Sequence, residues 1–261
     1  MIGDELALTP GIGALEKAYI RLLGVPISGL RIRLRRVLPQ LTGNPARVLD
    51  AGCGRGVFSF EMAKRFPGAD VTGVDIDEQR LAVNREIATR AGLNNLKFRP
   101  VDLMNPGALA EEFDGRFDIV LSVDNLEHLE DDALGVALLY RAVKPGGRLI
   151  LHVPGYERRW PLFRFQTNFD VPGHFRPGYR LADLRALVSQ AGFQVDDAWY
   201  TFGLLENLSN NLSYAITQAE AKNKAIYALA FPLLNLIAWL GRGAKPEKGA
   251  GVLLLARKPV E

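Results

Sequence analysis

A single cysteine, Cys53, stands in a chain of 261 residues. That excludes an intramolecular disulfide framework and gives no sign of an oxidising compartment. Histidines number three, His128, His152 and His174, too few and too scattered for a zinc site of the spaced Cys/His kind. The uncharged stretch AIYALAFPLLNLIAWL, 225–240, has 16 residues and contains Pro232 and Asn235. It falls short of the roughly 20 apolar residues a membrane-spanning helix needs. No repeat and no low-complexity run is present. The opening MIGDELALTP is acidic and mixed, and does not read as a secretory signal. What remains is an ordinary globular composition, 48% hydrophobic and 23% charged, in one large domain or two small ones.

Charge of one sign is scarce overall, since the net is +3, but it is unevenly placed. Residues 1–47 sum to +4, residues 48–140 to −8, residues 141–185 to +6 and residues 186–261 to +1. An acidic middle between basic flanks predicts that different parts of the chain face different partners.

Along the middle, short apolar runs alternate with amphipathic segments. Runs at 46–52, 69–76, 96–103, 117–124 and 147–153 read as strands. Val57–Arg65, Gln79–Ala91 and Ala133–Val143 carry helical periodicity. This alternation predicts βαβ crossovers and a parallel α/β sheet. VLDAG, DIVLS and LILHV are apolar on both faces, as strands covered on both sides are. Pro-Gly-Gly, 145–147, predicts a turn between a helix and the last of these strands. Leu181–Ala191 reads as a helix, and 193–202 and 251–259 as two further strands. Residues 1–45 read as a helical cap on a domain over 46–261. Within the cap, Arg31, Arg33, Arg35 and Arg36 alternate with apolar residues over Leu30–Leu38. That pattern fits a solvated cap, or a basic amphipathic helix at a membrane surface or over an anionic acceptor. The segment 205–249, with its apolar 225–240, fits a packed helix or helix pair, a lipid-touching surface helix, or a roof over a greasy pocket.

The strongest signal is VLDAGCGRG, 48–56. A strand runs into Asp50, then Gly52, Cys53, Gly54 and Gly56, then a helix. Glycines there permit a tight turn and close approach of a ligand to the backbone. Asp50 before them suits an ammonium group and repels a pyrophosphate. Asp75, at the end of the second strand, can accept from ribose hydroxyls. An ammonium, a ribose and no pyrophosphate describe S-adenosylmethionine better than NAD.

On these residues, with VDL at 101–103, SVDNLEHL at 122–129 and KPGG at 144–147 in order, the chain resembles the class I S-adenosylmethionine-dependent methyltransferases, in particular their type 11 small-molecule enzymes. The resemblance covers 46–153 well and 174–202 more loosely. It implies a Rossmann-like sheet of seven strands, the last antiparallel, with S-adenosylmethionine as cofactor. It implies that Asp50 and the loop Gly52, Cys53, Gly54 and Gly56 hold the methionine end. Asp75 would bind the ribose, with Ile76 on the adenine face. Asp102 and the backbone at Leu103 would meet the adenine edge, and the backbone at Ser122, Val123 and Asp124 would line the sulfonium. The helical insertion 205–249 before the last strand departs from the family's short connection.

The acceptor's proton needs a base when oxygen or carbon is methylated. His128, past the fourth strand, and His174, in the loop before Leu181, are the candidates, with Tyr156 and Tyr179 weaker. His152, inside LILHV, reads as a packed residue. Asp124, Glu127 and His128 partly match an E-x-x-E-H element that ubiquinone-pathway O-methyltransferases associate with a divalent metal, and no metal site is assigned. The loop 154–180 sets Arg158, Arg159, Arg164, Arg176 and Arg180 among Tyr156, Trp160, Phe163, Phe165, Phe169, Phe175 and Tyr179. Such a mixture suits an amphipathic small molecule or a membrane surface, and also nucleic acid. No dedicated nucleic-acid domain is visible. The expectation is a methyltransferase for a small lipophilic acceptor, cytoplasmic, peripheral at the inner membrane face through 225–240 and the basic N-terminal helix. The alternatives are RNA or protein methylation, or cofactor binding without turnover.

Overall fold

The apolar runs become seven strands of one sheet. The computed structural model describes residues 1–105, 107, 113–157, 173–217 and 223–260. The strands are β1 (Arg47–Ala51), β2 (Asp70–Asp75), β3 (Leu96–Pro100), β4 (Phe117–Val123), β5 (Val143–Pro154), β6 (Gln194–Thr201) and β7 (Gly251–Arg257). Their order is β3-β2-β1-β4-β5-β7-β6, and β7 alone runs antiparallel to both its neighbours, β5 and β6. The chain order reverses direction in the sheet between β1 and β4, where α/β sheets bind ligands at the carboxyl ends of their strands.

Strand alternation sorts the core into two layers. Leu49, Val120, Leu149, Leu151 and Leu254 face helices α5 (Asp132–Ala142) and α6 (Leu181–Gln190). Val48, Ile119, Leu121, Ile150 and Leu253 face α2 (Ser28–Val37), α3 (Val57–Arg65) and α4 (Glu78–Arg90). Asp77 and Asp131 start α4 and α5 by accepting from the amides of Arg80 (3.0 Å) and Leu134 (2.9 Å), a local cap visible in the sequence.

Three expectations change. The third strand ends at Pro100, not 103, because Asp102 turns the chain by accepting from the Met104 amide at 2.8 Å. Pro-Gly-Gly does not precede β5 but lies inside it. Phe117 pairs with Val143 and Ile119 with Arg148, so the turn is an excursion within one strand. The basic N-terminal helix is not a membrane face. Ile32, Leu34 and Val37 of α2 are fully buried, and its arginines turn inward. Arg31 donates to the Leu23 carbonyl, Arg33 pairs with Asp124, Arg35 reaches Asn235, and Arg36 pairs with Glu206. Desolvation is tolerable for these cations because each finds an acceptor.

The insertion is a helix pair, α7 (Leu204–Thr217) and α8 (Lys224–Leu240), packed on α2. Phe231, Leu234 and Ala238 of α8 are buried. The opposite side carries Ile226, Leu229, Leu233, Leu236, Trp239 and Leu240 into solvent, Leu229 at 85% exposure. Helix α1 (Ala14–Leu23) lies beside it: the Tyr19 hydroxyl donates to the Ala228 carbonyl at 2.6 Å. Leu15 and Leu22, on the same side of α1 as Tyr19 by helical spacing, are also exposed. No described helix is long and apolar enough to cross a membrane.

Candidate active site

The end of β1 opens into a loop built on left-handed glycines. Gly52, Gly54 and Gly56 have φ of 79°, 50° and 71°, a region that side chains with a Cβ disfavour. At Gly52 the restriction is also spatial, since a Cβ would stand 2.3 Å from Asn125 Cγ. The amides of Gly52 and Cys53 donate to the Val74 carbonyl, at 2.9 and 2.8 Å, tying the loop to β2. The Cys53 side chain packs into the core, and burial pushes its thiol up, so it offers backbone rather than sulfur chemistry. Asn84, buried on α4, donates to the Gly54 carbonyl at 2.8 Å.

Two carboxylates bracket this loop. Asp50 is 2% exposed and accepts from the Ser59 hydroxyl at 2.5 Å. Burial pushes its carboxyl up to about 7; the Ser59 hydroxyl works against that and the neighbouring Asp75 charge adds to it. A buried carboxylate beside another negative charge is a place for a cation. Asp75, at the end of β2, accepts from the amides of Gly54 (2.8 Å) and Asp77 (3.0 Å). Ile76 next to it is 71% exposed, a bare apolar face beside the loop. Asp102 is exposed at the turn after β3, and the Leu103 side chain is buried beneath it.

Across the loop, β4 ends in Ser122, Val123 and Asp124. The buried Ser122 hydroxyl donates to the Ala51 carbonyl at 3.0 Å. Asp124 has φ 48°, an uncommon conformation for a residue with a side chain. Its carboxylate is paired by Arg33 and accepts from His152 Nδ1 at 3.0 Å. Burial raises Asp124, but Arg33 and His152 outweigh it and hold the carboxyl well below its usual range. His152 is buried, as expected, and burial holds its imidazole below its ordinary value. It is therefore neutral: Nδ1 donates to Asp124, and Nε2 accepts from the Thr201 hydroxyl at 2.9 Å.

The two candidate bases meet. The rings of His128 and His174 stand edge to face, 4.5 Å apart. His128 Nδ1 lies 2.9 Å from the Gly173 carbonyl, which can only accept, so Nδ1 carries the proton. With Nδ1 so engaged, Nε2 is the ring nitrogen left to act as a general base. Glu127, His128 and His174 each offer one ligand atom, all within 4.8 Å of one another, a set that could also hold a divalent ion. Arg176 braces the loop, donating to the carbonyls of Leu126 (3.1 Å), Leu129 (2.9 Å) and Glu130 (3.0 Å). Tyr179 is unsuited as a base, for burial pushes its phenol up, and its hydroxyl already donates to Asp132 at 3.0 Å. Arg180 stacks on the Tyr156 ring, 4.4 Å from its centre. Arg158, Arg159, Trp160, Phe163, Arg164, Phe165 and Phe169 lie outside the described residues.

Sequence reasoning missed Ser59, Asn84, Asn125 and above all Arg33. Ser59 and Asn125 lie close to or within the quoted motifs but stand out by no chemistry of their own, Asn84 and Arg33 are remote in sequence from what they touch, and an arginine within a basic run carries no mark that it points inward.

A family model described as "Methyltransferase domain" matches residues 44–175. Ubiquinone biosynthesis O-methyltransferase of Pseudomonas aeruginosa (strain UCBPP-PA14) is 35% identical over 158 residues, 58% of this chain and 66% of that protein. The chain thus spans just under two thirds of that relative's length. Among solved structures, phosphoethanolamine N-methyltransferase 2 of Haemonchus contortus, in complex with S-adenosyl-L-methionine, superposes with a TM-score of 0.60 at 18% identity, covering 95% of this chain and 61% of that one. The [4+2]-cyclase SpnF gives 0.59 at 21% identity, covering 96% and 84%. Likeness at these identities shows the shared fold, and the cyclase shows that the fold also hosts other chemistry.

Proposed function

The chain belongs to the methyltransferase domain family, and from that premise we propose that it transfers a methyl group from S-adenosylmethionine to a small, lipophilic acceptor at a bilayer surface. The carrying observation is the cradle of Asp50 and Asp75 around a glycine loop whose backbone admits a ligand. The buried Asp50 carboxyl, pushed up to about 7, needs a cation such as the cofactor's ammonium. Asp75 would hold the ribose, Ile76 the adenine face, and Asp102 with the Leu103 backbone the adenine edge. When bound, the cofactor supplies an electrophilic methyl group on a sulfonium. The protein's part is to align the acceptor and take its proton. His128 Nε2 takes that proton from an oxygen or carbon acceptor, and His174 packs against it. The name of the Pseudomonas relative favours oxygen.

The lipophilic half of the proposal is supported by the outward face of α8 with Leu15 and Leu22 of α1. Lys224 begins α8 and Arg242 follows its end, with the Arg242 guanidinium carbon 3.6 Å from the centre of the Trp239 ring. Exposed leucines edged by cations and a tryptophan suit an anionic bilayer. Transfer of tritium from labelled S-adenosylmethionine into total lipid, RNA and protein extracts tests the reading, with label expected in lipid. Label in RNA or protein alone would sink the acceptor assignment. The same assay in EDTA separates the two roles of the histidine pair. Surviving activity supports His128 as base, and a loss restored by Mg²⁺ reassigns Glu127, His128 and His174 to a metal.

A further inference from the structure

We propose that Arg33 is a positioning residue for methyl transfer: from the N-terminal helix it holds Asp124 in the left-handed turn that sets the Ser122–Asp124 backbone at the methyl-donor edge. The inference rests on the methyltransferase reading above.

Three non-glycine residues among the described ones have positive φ: Asp124 at 48°, Phe202 at 56° and Asn223 at 53°. Two of the three touch the same guanidinium. Arg33 pairs with the Asp124 carboxylate, and its guanidinium carbon lies 5.3 Å from the centre of the Phe202 ring. Residues in such sparsely populated backbone regions persist only where their surroundings over-determine them, and they gather at functional sites.

The surroundings here come from four separate elements. Asp124 follows β4, and its amide donates to the His152 carbonyl of β5 at 2.8 Å. His152 Nδ1 donates to the Asp124 carboxylate at 3.0 Å, and Nε2 accepts from Thr201, the last residue of β6, at 2.9 Å. Phe202 follows Thr201, with its ring 6.1 Å from that of His152. Arg33 closes the set from α2. The carboxylate is thereby held between the cap and β5. Asn125, the next residue, is left lying over Gly52, with its Nδ2 3.5 Å from Ser122 Oγ.

Arg33 lies outside residues 44–175, the part matched by the family model. The cap on this reading is part of the donor site rather than a cover for it. Without Arg33, the Asp124 carboxylate loses its guanidinium counter-charge and keeps the His152 ring as its remaining side-chain partner. The turn then relaxes, and the wall formed by Ser122–Asn125 shifts.

Calorimetric titration of the full chain with S-adenosylhomocysteine tests this, because the product is neutral at sulfur and does not respond to a freed Asp124 charge. Arg33→Gln is expected to weaken binding about tenfold, the scale of a small misplacement of a binding wall. Arg33→Lys, which can still pair with Asp124, is expected to restore most of that loss. Arg36→Gln removes another ion pair of the same helix, far from the loop. It is expected to lower the unfolding temperature and leave affinity per folded molecule unchanged. The double variant Arg33→Gln/Asp124→Asn strands no charge, keeps the test readable if the single variant fails to fold, and should bind as weakly as Arg33→Gln. Wild-type affinity in Arg33→Gln or in the double variant would overturn the proposal, and so would an equal loss in Arg36→Gln. Absence of binding by the wild type would instead sink the methyltransferase reading on which it stands.

Discussion

On the proposed role of Asp50, cofactor capture would be a proton-linked event. Its carboxyl, pushed up to about 7 by burial, must lose a proton before it can pair with an ammonium. Affinity for S-adenosylhomocysteine should therefore rise with pH by up to about tenfold per unit below pH 7, then level off. Calorimetry in two buffers of different ionisation heat would count the proton released. Asp50→Asn should bind weakly and lose the slope. Stability follows the opposite sign. A carboxyl raised in the folded state weakens the fold as pH climbs from about 4 to 7, so Asp50→Asn should stabilise the ligand-free protein at pH 8 and do less at pH 5. The roles of the two exposed-edge histidines separate in kinetics. His128→Gln should cost roughly 10²–10⁴-fold in kcat, the usual worth of a general base, with cofactor affinity intact. His174→Gln, which removes the ring 4.5 Å from that of His128, should cost less. The positions of Asp50, Asp75 and His128 were legible, because each lies at or shortly after the end of a strand, a spacing that fixes its place on the sheet's edge. Arg33 was not, since its role depends on a fold-back between residues 33 and 124 that no local pattern encodes.

Among the elements, α8 separates its two faces cleanly. Leu229→Glu with Leu233→Glu changes side chains that are 85% and 62% exposed, so the unfolding temperature should hold. Flotation with anionic vesicles should be lost, and flotation that persists would remove the bilayer from the proposal. Phe231→Ala, at 1% exposure on the inner face, should instead cost about 3–5 kcal/mol in urea unfolding. The helix itself was readable as 16 uncharged residues, but which neighbours it would bury against was not. Its partners on α2 and α1 lie some 200 residues earlier: Arg35 to Asn235, Ser28 to Tyr227 and Tyr19 to Ala228. The same distance hid the fate of the α2 arginines. Alternation of charge and apolar residues in Leu30–Leu38 is the mark of a surface helix. Here a late insertion supplies acceptors for Arg35 and Arg36, while Leu23 and Asp124 supply those of Arg31 and Arg33.

For the whole molecule, the charge map read from composition survives in part. The acidic middle does hold the candidate cofactor cradle, whereas four of the basic residues of the start, Arg31, Arg33, Arg35 and Arg36, serve as internal struts. One of them joins the two ends of the chain: Arg36 donates from Nε and Nη2 to Glu206, both at 2.7 Å, with Glu206 fully buried. Glu206→Gln leaves that guanidinium without its counter-charge, and should cost about 3–5 kcal/mol. Cap, sheet and insertion should still unfold in one transition when followed by fluorescence and circular dichroism together. Strand β7 carries a further consequence, one of timing. It lies between β5 and β6 and, among the described residues, is the only sheet neighbour of β6. While the chain is being synthesised, β5 therefore shows an open edge and β6 has nothing to pair with. Both wait until Gly251–Arg257 has left the ribosome. A nascent chain of this protein holds its half-made sheet exposed until β7 has emerged. That interval, rather than the finished fold, is where it is most prone to aggregate and most in need of a chaperone.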